Sequence, residues 1–336
     1  MSDRVSGCLF GLALGDALAA TVEFVRDVRA IEARLGPRGS RAEPLGDPAR
    51  VTDDTQMALA LGDALVECSG PPWTAERVEP PLRRAFVDWM DSPENTRAPG
   101  NTCMSACRRL KQGLPWVEAT VLTSKGCGAN MRVAPVGLLG GENSATRAGL
   151  AQFQAALTHG HPTALAASDL TAVAVAALAA GEEPINLPAR LRAYAESQRH
   201  AYHQGWLGNL WREGGDDPSP EEFVARGWSD CLVTLARLEA ALENDDRDSD
   251  PCLYTGEGWV AEEALGTGLL CFLLFPDEPV AALRRAAVTS GDSDSIACLA
   301  GAFAGARHGI DAWPAAWLAR IEYRDRLNRL ADFLRG

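Results

Sequence analysis

Two segments of this chain, one near each end, carry glycine at every fourth position. The first trio is Gly7, Gly11 and Gly15, and the second is Gly301, Gly305 and Gly309. Residues four apart lie on the same side of an α-helix, so each trio gives its helix one smooth face. Glycine costs up to about 1 kcal/mol at each helix-interior position, so six such positions require a compensating gain. We expect that gain to be close backbone approach between packed helices, with these two as the candidate pair. Chance is the alternative, since the chain has 32 glycines.

Apolar residues recur with helical spacing along most of the chain, and the period-two alternation typical of strands is scarce. We therefore predict an all-α fold, a single compact multi-helix domain over residues 1–336. The predicted helices cover residues 4–19, 54–68, 76–90, 102–112, 144–157, 162–180, 188–200, 228–243, 259–275, 279–289, 295–309 and 320–334. The turn-rich segment 214–222 is expected to be a surface loop within that domain.

Composition excludes some classes of protein. Apolar residues make up 46% of the chain and charged residues 23%, as in ordinary globular proteins. No run of 18 apolar residues exists, which argues against a membrane span, and Asp16 interrupts the apolar N-terminal segment, which we interpret as a mature helix rather than a signal peptide. The net charge of −13 argues against a nucleic-acid partner. An acidic chain still binds anions where metal ions or backbone N–H groups meet them.

The nine cysteines are scattered, odd in number and without a CxxC pair. Several lie inside apolar runs. This pattern is typical of reduced, buried thiols, and it predicts a cytoplasmic protein.

The first acidic cluster is Thr52-Asp53-Asp54-Thr55, directly ahead of an apolar helical run. Thr and Asp are preferred at helix N-caps, and acids suit a helix N-terminus, so capping is one interpretation. A cap needs one such side chain, however, and two adjacent carboxylates between hydroxyls exceed that need.

A second cluster precedes another small-residue helix. Asp292 and Asp294 alternate with Ser293 and Ser295. If the two helix starts converge, the four carboxylates would repel each other unless a cation lay between them. Oxygen ligands of this kind suit Mg²⁺, Mn²⁺ or Ca²⁺, and no Cys/His set has zinc spacing. Together the clusters favour a metal site, although each alone is more often a cap.

Glu23 follows the first glycine-spaced helix, between apolar Val22 and Phe24. Partial burial would raise its pKa and suit it to proton transfer. A solvated surface glutamate is the alternative.

Six motifs, in order along the chain, resemble the ADP-ribosylglycohydrolases, which include the dinitrogenase reductase-activating glycohydrolases. They are GCLFGLALGDALAATVEF, VTDDTQMAL, GCGANMRVAPVGLL, LTHGHPTALAASDLTAVAVAAL, TGEGWVAEEALGTGLLCF and TSGDSDSIACLAGAFAGARHGI. The resemblance covers residues 5–310, and its paired TDD and GDSD blocks are the specific part.

This resemblance implies a compact all-α domain with a central cleft and two divalent cations, Mg²⁺ or Mn²⁺. The residues matching the family's metal ligands are Thr52, Asp53, Asp54, Asp292, Asp294 and Ser295. Glu23 matches a glutamate beside the metals. The catalytic candidates are Glu23, Asp53, Asp54 and Asp292, with the proton acceptor left open between Glu23 and an Asp of the clusters.

A glycine-containing stretch is the candidate phosphate end of the cleft. The candidate ligand-binding residues are Gly126, Gly128, Asn130, Met131, Arg132, His159 and Trp259. The glycines would admit backbone N–H groups to an anion, with a helix starting near Asn130. Arg132 is expected to pair with a phosphate or to brace a nearby acid in the core. His159 is expected either to lie near the ligand or to have a structural role. For Trp259, stacking on adenine and packing in the core are equally weighted alternatives.

The function implied is hydrolysis of the bond between ADP-ribose and a modified side chain, with arginine favoured. ADP-ribose and an ADP-ribosylated protein are the expected partners, and an ADP-ribosyltransferase toxin is a further candidate. A catalytically silent ADP-ribose-binding or toxin-occluding immunity protein is the second hypothesis. An all-α phosphohydrolase is third, because no histidine adjoins the Asp pairs.

Overall fold

The computed structural model describes residues 3–214 and 217–336. Throughout these ranges the regular structure is helical, with short 3-10 turns and four isolated β-bridges. The α-helices, in chain order, are α1 (Arg4–Ala19), α2 (Val28–Leu35), α3 (Asp53–Cys68), α4 (Ala75–Asp91), α5 (Asn101–Lys111), α6 (Trp116–Ala119), α7 (Ala134–Gly137), α8 (Ser144–Ala156), α9 (Pro162–Ala179), α10 (Leu187–Gln198), α11 (Gln204–Leu207), α12 (Leu210–Glu213), α13 (Pro220–Asn244), α14 (Cys252–Thr255), α15 (Ala261–Leu274), α16 (Pro279–Ala286), α17 (Ser293–His308), α18 (Ala315–Arg320) and α19 (Arg324–Arg335). The all-α prediction is confirmed.

The longest helix departs most from its predicted bounds. α13 begins at Pro220, within the predicted loop 214–222, because Pro220 fits the first helical turn and the Ser219 hydroxyl accepts from the N–H of Glu222. Residues 215–216 of that predicted loop lie outside the described residues.

Helices α1 and α17 pack antiparallel through their glycine faces. A Cβ placed on Gly11 would lie 2.2 Å from the carbonyl oxygen of Gly301, and one on Gly15 would lie 2.0 Å from that of Ala297. Such distances leave room for no side chain, so the two backbones touch. The predicted approach of these two helices is confirmed. The contact also sets the end of α1 beside the start of α17, where the second acidic cluster lies.

Helix α9 forms part of the core, and most of its side chains are buried. In the described ranges it is the one helix long and apolar enough by composition to cross a membrane, with a mean hydropathy of 1.5 and 83% of its residues buried. The search for an uninterrupted run of 18 apolar residues did not find this helix, because Ser168 and Asp169 interrupt its apolar sequence. Its burial identifies it as a core helix.

Candidate active site

A cleft of about 420 Å³ opens where the end of α1 and the starts of α3 and α17 meet. Its walls include all four clustered aspartates, together with Glu23, the glycine loop (residues 126–128) and the aromatic rings of Phe24 and Trp259. The lining residues are Glu23, Phe24, Asp53, Asp54, Ala98, Pro99, Gly100, Asn101, Thr102, Cys103, Gly126, Cys127, Gly128, Met131, His159, Trp259, Asp292, Asp294 and Ser295. Most of the sequence-predicted site residues therefore share one cavity.

The two acidic helix starts converge. The Thr52 hydroxyl donates to Oδ2 of Asp294 over 3.2 Å, which joins the first cluster to the second. Carboxylate oxygens of Glu23, Asp292 and Asp294 lie within 4.8 Å of one another. All five acids of the site are largely buried, Glu23 being the most exposed at 9%.

Capping accounts for only part of these clusters. Thr52 is the N-cap of α3 and accepts from the N–H of Asp54, so the carboxylates of Asp53 and Asp54 are not needed for that role. Asp292 occupies the N-cap position of α17, yet its side chain makes no capping hydrogen bond. Capping therefore does not account for these carboxylates, and Asp53 accepts instead from the N–H of Gly100 over 3.1 Å.

The electrostatics of the cluster favour a bound cation. Oδ2 of Asp54 and Oδ1 of Asp294 are buried and have no hydrogen-bond partner among the described residues. Burial raises the pKa of all four aspartates, and the charge of Asp294 raises that of the other three further. Unpartnered buried carboxylate oxygens are costly unless they coordinate a metal, so the donor set fits a hard divalent ion.

Glu23 lies at the edge of this cluster. Burial raises its pKa to about 9, helped by the negative charges of Asp294, Asp53 and Asp16. Its carboxylate accepts no hydrogen bond from the described part of the chain, which leaves it free to exchange a proton with a bound molecule.

Asp16 is a site-supporting residue that sequence reasoning missed. Fully buried near the end of α1, it accepts from the backbone N–H of Thr52 and from both the N–H and the hydroxyl of Thr55. It thus fixes the start of α3 against α1. The available signal was an acid within an otherwise apolar, buried helix.

Cys127 was also missed as a site residue. Its thiol donates to Oδ2 of Asp292 over 2.9 Å and lies 3.6 Å from Oγ of Ser295. No local sequence pattern distinguished Cys127 from the other eight cysteines. All nine are free thiols, and Cys127 is half-buried whereas the others are buried.

The glycine loop packs on His159. A Cβ on Gly128 would lie 3.0 Å from the Cys103 sulfur and 3.1 Å from Cε1 of His159, so a larger residue would require these side chains to shift by a few tenths of an ångström. Burial and the charge of Arg132 lower the pKa of His159 to about 3, so the ring is neutral. Nδ1 of His159 lies 2.8 Å from the hydroxyl of Thr158.

Arg132 orients that hydroxyl rather than a ligand. Its guanidinium is fully buried over the ring of Phe86, donates to Gln154 and donates to Oγ1 of Thr158. The Thr158 hydroxyl accepts one of these hydrogen bonds, and its own hydrogen has two acceptors within reach, Nδ1 of His159 at 2.8 Å and the carbonyl oxygen of Ala155 at 3.4 Å. The shorter contact favours donation to Nδ1, which would put the ring proton on Nε2, the nitrogen nearer the glycine loop. The expectation that Arg132 contacts a phosphate, or an acid in the core, is wrong because Gln154 and Thr158 are its partners.

Asn130 lies outside the cleft as well. It is fully buried and its amide donates to the carbonyl of Ala261. No helix starts there: a 3-10 turn covers Cys127–Ala129, and α7 begins at Ala134. Met131, in contrast, lines the cavity.

The family model for ADP-ribosylglycohydrolases matches residues 1–336. The chain belongs to the ADP-ribosylglycohydrolase family. Family membership supports a hydrolase activity and agrees with the resemblance of the six motifs.

Relatives within this family are distant but cover nearly the whole chain. The chain is 27% identical to the ADP-ribosyl-[dinitrogen reductase] glycohydrolase of Rhodospirillum rubrum, over 96% of this chain and 91% of that one. It is 25% identical to the ADP-ribosylarginine hydrolase Tri1 of Serratia proteamaculans (99% and 79%) and 27% identical to the ADP-ribosylhydrolase ARH3 of Homo sapiens (98% and 92%). A solved ADP-ribosylglycohydrolase-related protein complex superposes with a TM-score of 0.65 at 25% identity, covering 99% of this chain and 96% of its own.

Proposed function

We propose that this protein is a metal-dependent hydrolase that cleaves the glycosidic bond between ADP-ribose and a modified arginine side chain. The observation that carries the proposal is the meeting of Asp53, Asp54, Asp292 and Asp294 beside Glu23 in one cleft, where two of their buried oxygens have no partner in residues 3–214 and 217–336. Such an arrangement has no evident structural purpose, whereas it fits a cation-dependent reaction on a sugar.

Arginine is proposed as the acceptor because the Serratia relative is named an ADP-ribosylarginine hydrolase. The acidic character of the cleft supports this choice, since a guanidinium leaving group is cationic and would be attracted to it. An ADP-ribosylated protein is the proposed substrate, whether the modification is regulatory or is made by a toxin, and the cytoplasm is the proposed compartment.

Two divalent ions, Mg²⁺ or Mn²⁺, are proposed at the floor of the cleft. The residues that would hold them are Thr52, Asp53, Asp54, Asp292, Asp294 and Ser295, all of which offer oxygen. When bound, such ions hold ribose hydroxyls and lower the pKa of a coordinated water.

The chain's own residues supply binding and proton transfer. Gly126 and Gly128, which have no side chains, would let a pyrophosphate lie beside Nε2 of His159, and the neutral ring would donate to it from this nitrogen. Glu23 is our proposed acceptor for the proton of the attacking water, because its carboxylate is beside the acidic cluster and accepts no hydrogen bond from the described residues. Bound cations would offset the negative charges that raise the pKa of Glu23, so its carboxylate would be ionised in the loaded site. Cleavage at the anomeric carbon passes through an oxocarbenium-like state, which the surrounding carboxylates would stabilise.

The test is release of ADP-ribose from an arginine-modified protein, by wild type and Asp292→Asn, with and without Mg²⁺ after chelation. Asp91→Asn is the matched control, because the side chain of Asp91 forms an exposed ion pair with Lys111 and lies outside the cleft. Turnover that needs Mg²⁺ and is lost only in Asp292→Asn is the expected result. Tight ADP-ribose binding without turnover would instead support the silent ADP-ribose-binding hypothesis.

A further inference from the structure

One guanidinium of the protein itself lies over the ring of Trp259, a residue that lines the cleft. The guanidinium carbon of Arg26 lies 5.7 Å from the ring centroid of Trp259, and its Nη1 lies 3.9 Å from a carboxylate oxygen of Glu257. Phe24 stacks beside the same indole, with centroids 6.4 Å apart and planes 11° from parallel. An aromatic face with a nearby carboxylate is a general recognition site for a planar cation.

The segment 257–259, which contains Glu257 and Trp259, is hydrogen-bonded to the acidic cluster. The N–H of Asp292 donates to the carbonyl of Glu257 over 2.7 Å. A Cβ on Gly258 would lie 3.5 Å from that of Asp292. Trp259 itself lines the cleft with Glu23 and Phe24. A group held on Trp259 is therefore next to the place where the glycosidic bond would be broken.

We propose that Trp259 and Glu257 form the subsite for the guanidinium of the acceptor arginine, and that Arg26 occupies it when no substrate is bound. This inference rests on the proposed function and adds the residues that select the acceptor. The side chains of Arg26 and Glu257 are 70% and 52% exposed, so their ion pair is weak and a substrate guanidinium can replace Arg26. A hydroxyl acceptor such as serine carries no cation to place there.

The kinetic test compares Trp259→Leu, Glu257→Gln and Arg26→Ala, with Arg29→Ala as control. Arg29 is exposed, carries the same charge and lies in the first turn of the neighbouring helix α2. With an ADP-ribosyl-arginine substrate we expect Trp259→Leu to raise KM about five- to thirtyfold with a smaller change in kcat, as loss of a cation–π contact predicts. Arg26→Ala should lower KM about two- to fivefold, and Arg29→Ala should leave it unchanged.

Binding of free ADP-ribose separates this role from adenine stacking. If Trp259 holds the acceptor, Trp259→Leu leaves the Kd for ADP-ribose within twofold of wild type. An equal rise in that Kd and in KM would assign Trp259 to adenine and overturn the proposal. Identical KM values for Arg26→Ala and Arg29→Ala would overturn the resting role of Arg26.

A second measurement does not depend on turnover. N-acetylarginine amide is titrated by calorimetry into protein saturated with ADP-ribose. Tighter binding to Arg26→Ala than to wild type, with loss in Trp259→Leu, supports the subsite even if no hydrolysis is seen, in which case only the proposed function fails. Equal binding to all variants would overturn the subsite while leaving any observed hydrolysis intact.

Discussion

The carboxylate of Asp16, in the last turn of α1, accepts both the N–H of Thr55 at 3.0 Å and its hydroxyl at 2.5 Å, in the first turn of α3. One buried acid of one helix thereby satisfies donors at the start of another. The same carboxylate takes the N–H of Thr52, so the position of the first acidic cluster depends on it.

Replacing Asp16 should therefore destabilise the protein. In Asp16→Ala two buried backbone donors lose their acceptor, and we expect a loss of about 2–4 kcal/mol in the free energy of unfolding. Asp27→Ala is the control: Asp27 caps α2 at the surface, and its loss should cost only about 0.5–1 kcal/mol. Urea unfolding of both variants measures the difference, and equal losses would contradict the role of Asp16.

We expect Asp53→Asn to preserve or raise the thermal stability of the metal-free protein and to weaken its stabilisation by Mg²⁺. Without metal the neutral amide relieves repulsion within the buried cluster, so the variant should unfold at the same or a higher temperature than wild type. Activity should fall about 100-fold or more, since metal-derived stabilisation of several kcal/mol is lost. Saturating Mg²⁺ at about 100 times its Kd should stabilise wild type by about 2.7 kcal/mol and the variant by much less. An undiminished Mg²⁺ response would count against Asp53 as a ligand.

Adding one methyl group to the glycine face should separate α1 from α17. The Cβ of Gly11→Ala would meet the Gly301 carbonyl, so we expect a loss of about 3 kcal/mol or more. Gly205→Ala, also in a helix but with nothing within 4 Å of the new carbon, should be neutral or slightly stabilising. Thermal unfolding compares the two, and similar melting temperatures would reject backbone contact as the reason for the glycines.

A buried acid in the core, outside the candidate active site, makes the free energy of unfolding depend on pH. Asp169 accepts from Gln152 and Tyr194, and burial raises its pKa from 3.8 to about 7. The folded state thus holds this proton more tightly than the unfolded state. The resulting stability is complete below about pH 4 and is lost as pH rises through 7, a difference of about 4 kcal/mol at most.

Asp169→Asn should remove that dependence. Its stability relative to wild type should rise between pH 5 and pH 8, since only the wild-type residue ionises. Urea unfolding at both pH values measures the change, and common effects of other groups cancel in the difference. Parallel pH profiles for the two proteins would show that Asp169 does not titrate in this range.

The tautomer of His159 is a further expected observable. If the Thr158 hydroxyl donates to Nδ1, the neutral ring carries its proton on Nε2, and we expect nitrogen-15 NMR to show this form unchanged from pH 5 to pH 8. Thr158→Val removes the donor and should weaken ADP-ribose binding about three- to tenfold, whereas Thr158→Ser keeps the hydroxyl and should not. A histidine that titrates near pH 6.5 would refute the arrangement.

Features formed by residues that lie close together in the sequence could be predicted from it. Asp53 and Asp54 are adjacent in the sequence, and Asp292 and Asp294 are two positions apart, so each cluster was visible as a local excess of carboxylates. The glycine trios were visible for the same reason, because a helix face has a fixed period. Long helices such as α1, α3, α9 and α17 were predicted within one or two residues, whereas the start of α13 was missed and four-residue helices such as α11 and α12 are too short to show a period.

Features that depend on distant contacts could not be predicted in this way. Asp16 and Thr55 are 39 residues apart, and Cys127 and Asp292 are 165 apart, so neither pair leaves a local pattern. The direction of the Arg132 side chain depends on Gln154 and Thr158, two residues of another segment. An arginine beside a glycine loop is compatible with an outward or an inward orientation, and only packing decides between them.

The contact between α1 and α17 is made by main-chain atoms, which have no rotamers. A slip by one turn would move the helices by about 6 Å along their axes and carry Glu23 away from Asp292. Side chains elsewhere in the core can change size or shape during divergence without altering this axial alignment. The spacing of the acids is thus set by the peptide backbone, and substrate preference can change around the rim while the reaction centre keeps its dimensions.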